Sequence, residues 1–126
     1  MSRSAALRLP LDSHILLRLD REPHLVPEAH RRLLADPANE FFVSAATAWE
    51  LGIKQMKGKL VLARSISEQR IHWGFLESPI SFAHAVTLPL LHGDPFDRML
   101  VAQAMVEGMV LITADRKLAQ YGVAAL

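Results

Sequence analysis

The sequence predicts an α/β domain of three layers, with helices on both faces of a mostly parallel sheet. Three observations predict it. Short apolar runs at residues 7–11, 41–43 and 109–112 read as buried strands. Helical patterns alternate with them, most opened by a Ser, Asp or Pro suited to a helix start. The chain has 126 residues, 51% of them hydrophobic, which suits one compact domain over residues 1–126. Strands alternating with helices in this way build parallel sheets, and such sheets collect function beyond the carboxyl ends of their strands.

The first strand, residues 7–11, contains Pro10, which removes one ladder donor. Asp12 follows directly, and the helix starting near His14 takes Asp12 or Ser13 as its cap. Glu22-Pro23 interrupts the chain, and Pro27 opens a second helix over residues 27–36. There Glu28, Arg31 and Arg32 form a solvated face, Leu33 and Leu34 pack, and His24 and His30 are expected at the surface.

Ser44 caps the next helix, residues 44–56, whose expected apolar stripe is Ala46, Trp49, Ile53 and Met56. Glu50 lies at the edge of that stripe. A carboxylate there needs a partner or a cation, and Lys54, four residues on, is in the favoured order for an ion pair.

Residues 58–62 form a turn into a short extended piece, and residues 65–75 a helix with a solvated charged face. Residues 77–80 suit an edge strand, where Pro79 is tolerated, and Ser81 caps a helix carrying His84 as a packed or capping histidine. The strongest local signal follows. Asp94 is an N-cap, Pro95 occupies the first helical position, Asp97 lies in the first turn and Gly108 closes the helix. Leu100, Val101, Ala104 and Met105 give it an apolar face. The strand at 109–112 then delivers Thr113 and Asp115, followed by about one helical turn at 116–119 and a last short strand at 121–123.

Composition excludes several classes. The formal charge of +1 gives no global field toward nucleic acid or membranes, so a polyanion needs a local patch or a metal. Without cysteine there is no disulfide framework or thiolate metal site, which suits a reducing cytoplasm. No apolar run has the length of a signal peptide core or a membrane span. P-loop, zincin and serine-hydrolase motifs are absent.

Asp12 and Asp115 follow strands, while Glu50 and Asp97 ride helices that begin near the same sheet edge. Four ionised carboxylates that converge need a counter-charge, and hard Mg2+ or Mn2+ with oxygen ligands is the usual one. Metal-assisted phosphodiester hydrolysis fits that inventory.

The pieces LDSHILL, FVSAATAWELGIK with GKL behind it, LPLLHGDPFDRMLVAQAMVEGMVLITAD and the closing YGV run over nearly the whole chain. In that order they resemble PIN-domain ribonucleases of the VapC-like toxin group from prokaryotic toxin–antitoxin pairs. DPFDR-x-L-x-AQA followed by T-x-D is the specific part of the match. The resemblance implies that Asp12, Glu50, Asp97 and Asp115 are the catalytic, metal-binding set, holding Mg2+ or Mn2+. Thr113 matches the family's hydroxyl beside the last Asp, and Ser13 stands where Thr is usual. Asp94 belongs to the motif but reads mainly as a cap, and Arg98, beside Asp97, is a candidate RNA contact. RNA as substrate, a homodimer and an antitoxin that occludes the acidic cleft are further implications. The chain departs from the pattern at Pro10, which replaces an aliphatic residue, and at Arg18, where Trp is frequent.

Rival readings are weaker. A receiver-like domain wants an acidic pair at one strand end, and a haloacid-dehalogenase-type phosphatase wants Asp-x-Asp, where this chain has His14. The stronger rival is a catalytically silent PIN-like module that binds RNA or an antitoxin.

Overall fold

A computed structural model describes residues 6–87 and 94–113. Three parallel strands, β1 (Arg8–Pro10), β2 (Glu40–Ser44) and β3 (Leu76–Ser78), lie in the order β1-β2-β3. Leu9 pairs with Phe41, and Ser44 with Ser78, so the sheet's carboxyl edge runs through Leu11, Ser44 and Ser78. The chain returns to the other side of β1 near its end, where Leu11 and Ile112 form one parallel bridge. β1 is therefore an interior strand.

Pro10 shapes that junction. The amides of Val110 and Ile112 donate to the carbonyls of Arg8 and Pro10, at 3.1 and 2.9 Å, and Asp12 donates back to Ile112 at 3.1 Å. The rung between them would run from an amide at residue 10 to the Val110 carbonyl, and proline has no such donor. Among the described residues, 109–112 accordingly join β1's strand line through one bridge, Leu11 with Ile112, rather than a full ladder. Asp12 keeps its own rung, so the proline interrupts the pairing without removing the anchor of the acid beside it.

Among the described residues six α-helices surround the sheet: α1 (Ser13–Arg21), α2 (Glu28–Ala35), α3 (Ala45–Met56), α4 (Ile66–Trp73), α5 (Phe82–Val86) and α6 (Pro95–Glu107). Alternating side chains of the strands feed two cores. Leu9, Leu11, Phe41 and Val43 join Ile15, Leu16 and Leu19 of α1, with Leu33, Leu34 and Ile66 against them. On the opposite face Phe42 meets Leu100, Val101, Ala104, Met109 and Leu111. Helices on both faces give the expected α/β/α layering.

Local chemistry sets the helix ends. The Asp12 carboxylate accepts from the Ile15 amide at 2.9 Å, Ser44 from Ala46 at 3.0 Å and Ser65 from Glu68 at 3.1 Å. Asp94 accepts from Phe96 and Asp97, and Gly108 ends α6 in the left-handed conformation at φ 64°. His84 is the packed, capping histidine anticipated for it. Its Nδ1 accepts from the Ser81 amide at 2.9 Å, which leaves Nε2–H to donate to Glu107 at 2.9 Å.

Four expectations are corrected. The buried face of α3 is Ala46, Thr47, Glu50 and Leu51, whereas Trp49 and Met56 are 64% and 90% exposed. His30 is buried rather than at the surface, facing inward on α2. Met105 lies half exposed, while Gln103 takes its place on the inner side of α6. The edge strand starts one residue earlier than expected, at Leu76, and ends before Pro79. The expected pieces at 88–93, 116–119 and 121–123 lie outside the described residues. Among the described residues, no helix is long and apolar enough to cross a membrane.

Candidate functional site

Two of the sequence-predicted acids, Asp12 and Glu50, are buried. Asp12 follows β1 directly and is 1% exposed. One carboxylate oxygen caps α1, and the other accepts from the Thr113 hydroxyl. Thr113 comes straight after the bridge that ties residues 111–112 to β1, so backbone pairing on one side and a helix cap on the other fix this carboxylate. Ser13, the first residue of α1, is buried beside it.

Glu50 reaches the interior from α3. It is 7% exposed, and its Oε2 accepts from Lys54 Nζ at 3.1 Å. A buried carboxylate requires such a partner, because leaving a charge without compensation in a low-dielectric setting is strongly unfavourable.

Asp97 stands in the first turn of α6, half-buried, with its amide donated to the Asp94 carboxylate at 3.3 Å. Asp94 is exposed, and its Oδ1 serves both the Phe96 and Asp97 amides. In DPFD, therefore, the first aspartate caps the helix and the second is the one carried by its first turn. Arg98 follows it, its amide donating to the Asp94 carbonyl at 3.1 Å.

The relative placement of α3 and α6 rests on two contacts. The Ser44 hydroxyl donates to Gln103 Oε1 at 2.6 Å, and the Trp49 and Phe96 rings meet edge to face with centroids 5.3 Å apart. Residue 44 opposite 103 and residue 49 opposite 96 make the helices antiparallel. Trp49, the neighbour of Glu50 in sequence, thus packs against the first turn of α6.

Gln103 is the functional candidate that periodicity missed. Fully buried, it accepts from Ser44 and donates to the Ser78 carbonyl and hydroxyl at 3.2 Å and to the Pro79 carbonyl at 3.3 Å. One side chain thus joins α6 to the ends of β2 and β3. The signal available was a glutamine on the apolar side of a helix, a residue type that enters a core only with partners.

Asp115 lies outside the described residues. Among those described, no group of three or more His, Asp or Glu side chains is placed to hold a metal ion. The donor chemistry nonetheless fits a hard divalent cation. Asp12, Glu50 and Thr113 offer oxygen only, and the burial of Glu50 beside an ammonium marks a position that calls for positive charge.

A parallel α/β sheet with buried carboxylates beyond its carboxyl edge defines a class of acidic-site domains, and the sequence matches the PIN domain over residues 10–124. The chain belongs to the PIN domain family. Solved structures with the same fold include VapBC2 from Rickettsia felis bound to a promoter DNA fragment. There the TM-score is 0.68 at 17% identity, covering 95% of this chain and 98% of that one. VapBC-1 from nontypeable Haemophilus influenzae gives 0.65 at 18% identity, with 95% and 97% covered. DNA-bound VapBC from Salmonella typhimurium gives 0.67 at 16%, again with 95% and 97% covered. Comparison with curated protein sequences found no significant match.

Proposed function

We propose that this chain is a metal-dependent endoribonuclease acting as the toxin of a toxin–antitoxin pair. The observation that carries the reading is the pair of buried carboxylates, Asp12 and Glu50, beyond the carboxyl edge of a PIN-family sheet. PIN domains are generally nucleases. The structural neighbours are VapBC assemblies, which supports an antitoxin partner here. A homodimer and a cytoplasmic setting complete the reading.

Asp12, Glu50, Asp97 and Asp115 would hold Mg2+ or Mn2+, which supplies water activation and charge neutralisation at a phosphodiester. The chain's own residues do the rest. Thr113 donates its hydroxyl to Asp12 and so fixes which carboxylate oxygen remains oriented to the edge. The cap to Ile15 prevents rotation of the same group. Gln103 and Ser44 hold the start of α3 against α6. Arg98, next to Asp97 in sequence, would be the residue to meet the RNA backbone.

The test separates the two aspartates of DPFD. Asp97→Asn should remove most cleavage of cellular RNA in Mn2+ while leaving metal-free melting within about 1 kcal/mol, the size of a first-turn macrodipole contribution. Asp94→Asn keeps a good cap and should retain much more activity. Cleavage ends mapped by sequencing after pulse expression would give the target. Growth arrest that a neighbouring antitoxin gene relieves would establish the pair. Purified parent that binds RNA without cutting it in Mg2+ or Mn2+ would instead make this a binding module.

A further inference from the structure

Glu50 is buried, yet its counter-charge is not. Lys54 places its ammonium 3.1 Å from Glu50 Oε2 while its side chain is 43% exposed. The ammonium therefore reaches the carboxylate from the solvent side, at the end of a flexible four-carbon stem, and is retained by charge rather than by packing. No backbone cap or second hydrogen bond to the Glu50 side chain accompanies it among the described residues, in contrast to Asp12.

We infer that Lys54 is a tethered counter-ion that occupies the cation position at Glu50 in the metal-free protein. A divalent ion displaces it, and the released ammonium then takes an RNA phosphate. The inference rests on the metal-site reading above and adds the residue that competes for that site. Two consequences follow from charge balance. While the ammonium sits on Glu50, only the fraction of molecules with it swung away is ready for the ion. The apparent metal affinity falls by that fraction, about tenfold if the pair is closed nine-tenths of the time. Once displaced, the ammonium remains tethered beside Glu50 by its own stem and is available to a phosphate there. Lys54 thus opposes metal binding and supports RNA binding, two effects of opposite sign from one side chain.

The experiment uses Lys54→Met, which keeps most of the stem and removes the charge, with Lys59→Met as a control that removes the same charge beyond the end of α3. Thermal melting against Mn2+ concentration reads metal binding without any turnover, because a ligand that favours the folded state raises the melting temperature by mass action. The expected result is a half-maximal shift at about five- to tenfold lower Mn2+ in Lys54→Met than in the parent, with Lys59→Met matching the parent. In saturating Mn2+, binding of a labelled mixed-sequence RNA with a phosphorothioate backbone should weaken in Lys54→Met. Its salt dependence should flatten by about one phosphate contact. An equal or higher Mn2+ requirement in Lys54→Met overturns the displacement, and an unchanged salt slope overturns the phosphate role. If neither protein responds to Mn2+, the metal-site reading itself fails and the inference with it. A parent that responds, with Lys54→Met identical to it, overturns the inference alone.

Discussion

Asp12 and Glu50 are both buried carboxylates, but they are held in opposite ways. Asp12 is fixed by neutral donors that belong to the fold: the Ile15 amide and the Thr113 hydroxyl. Glu50 is met by a charged side chain that arrives from solvent. The first arrangement works whether or not an ion is present, since the donors cannot leave without unfolding the junction of β1, α1 and residues 111–113. The second is exchangeable. One carboxylate is thus tied into the fold by neutral donors, and the other is balanced by a side chain that can move away.

The largest effect should come from breaking the fixed member. Asp12→Ala removes a helix cap and leaves the buried Thr113 hydroxyl without this acceptor, a loss of about 2–4 kcal/mol in metal-free protein. Urea unfolding would measure it, and a loss under 1 kcal/mol would mean Asp12 is no more built in than Glu50. Next comes the frame that carries the exchangeable member. Gln103→Leu strips partners from Ser44, Ser78 and Pro79 and should cost about 1–3 kcal/mol. It should also weaken Mn2+ binding at temperatures well below melting, because Glu50 and Asp97 lose their common tether. A stability loss with unchanged Mn2+ affinity would reduce Gln103 to a core residue. The smallest effect is expected at Glu50 itself. Glu50→Gln gives up an i,i+4 pair worth about 0.2–0.5 kcal/mol and relieves the burial of a charge, so metal-free stability should barely move. Equal destabilisation by Glu50→Gln and Asp12→Ala would erase the contrast between them.

What the sequence made legible was local. Asp94, Pro95 and Gly108 bounded α6 correctly because capping depends on a few adjacent atoms. Ser44 and Ser81 did the same for their helices. The phase of α3 was not legible. Hydrophobic periodicity placed Trp49 and Met56 inside, whereas the inner face carries Thr47 and Glu50. A helix that serves a polar site breaks the rule that apolar means inside, and such local conflicts concentrate where function resides. Gln103 and His30 escaped for a related reason. Their burial depends on partners or packing distant in sequence, such as Ser44 and Ser78 for Gln103. Pro10 was legible as a problem, but its resolution was not, since that required knowing that residues 110 and 112 use the carbonyls on either side of the missing donor.

The hydrogen bond between Thr113 and Asp12 spans 101 residues of chain. A ribosome synthesises that interval in about 5–20 s, and closing so long a loop must await the arrival of its second end. Asp12 is consequently set in its final geometry by a residue made 101 positions later. A nascent fragment, or a chain truncated before residue 113, carries Asp12 without the hydroxyl and without the bridging strand beside it.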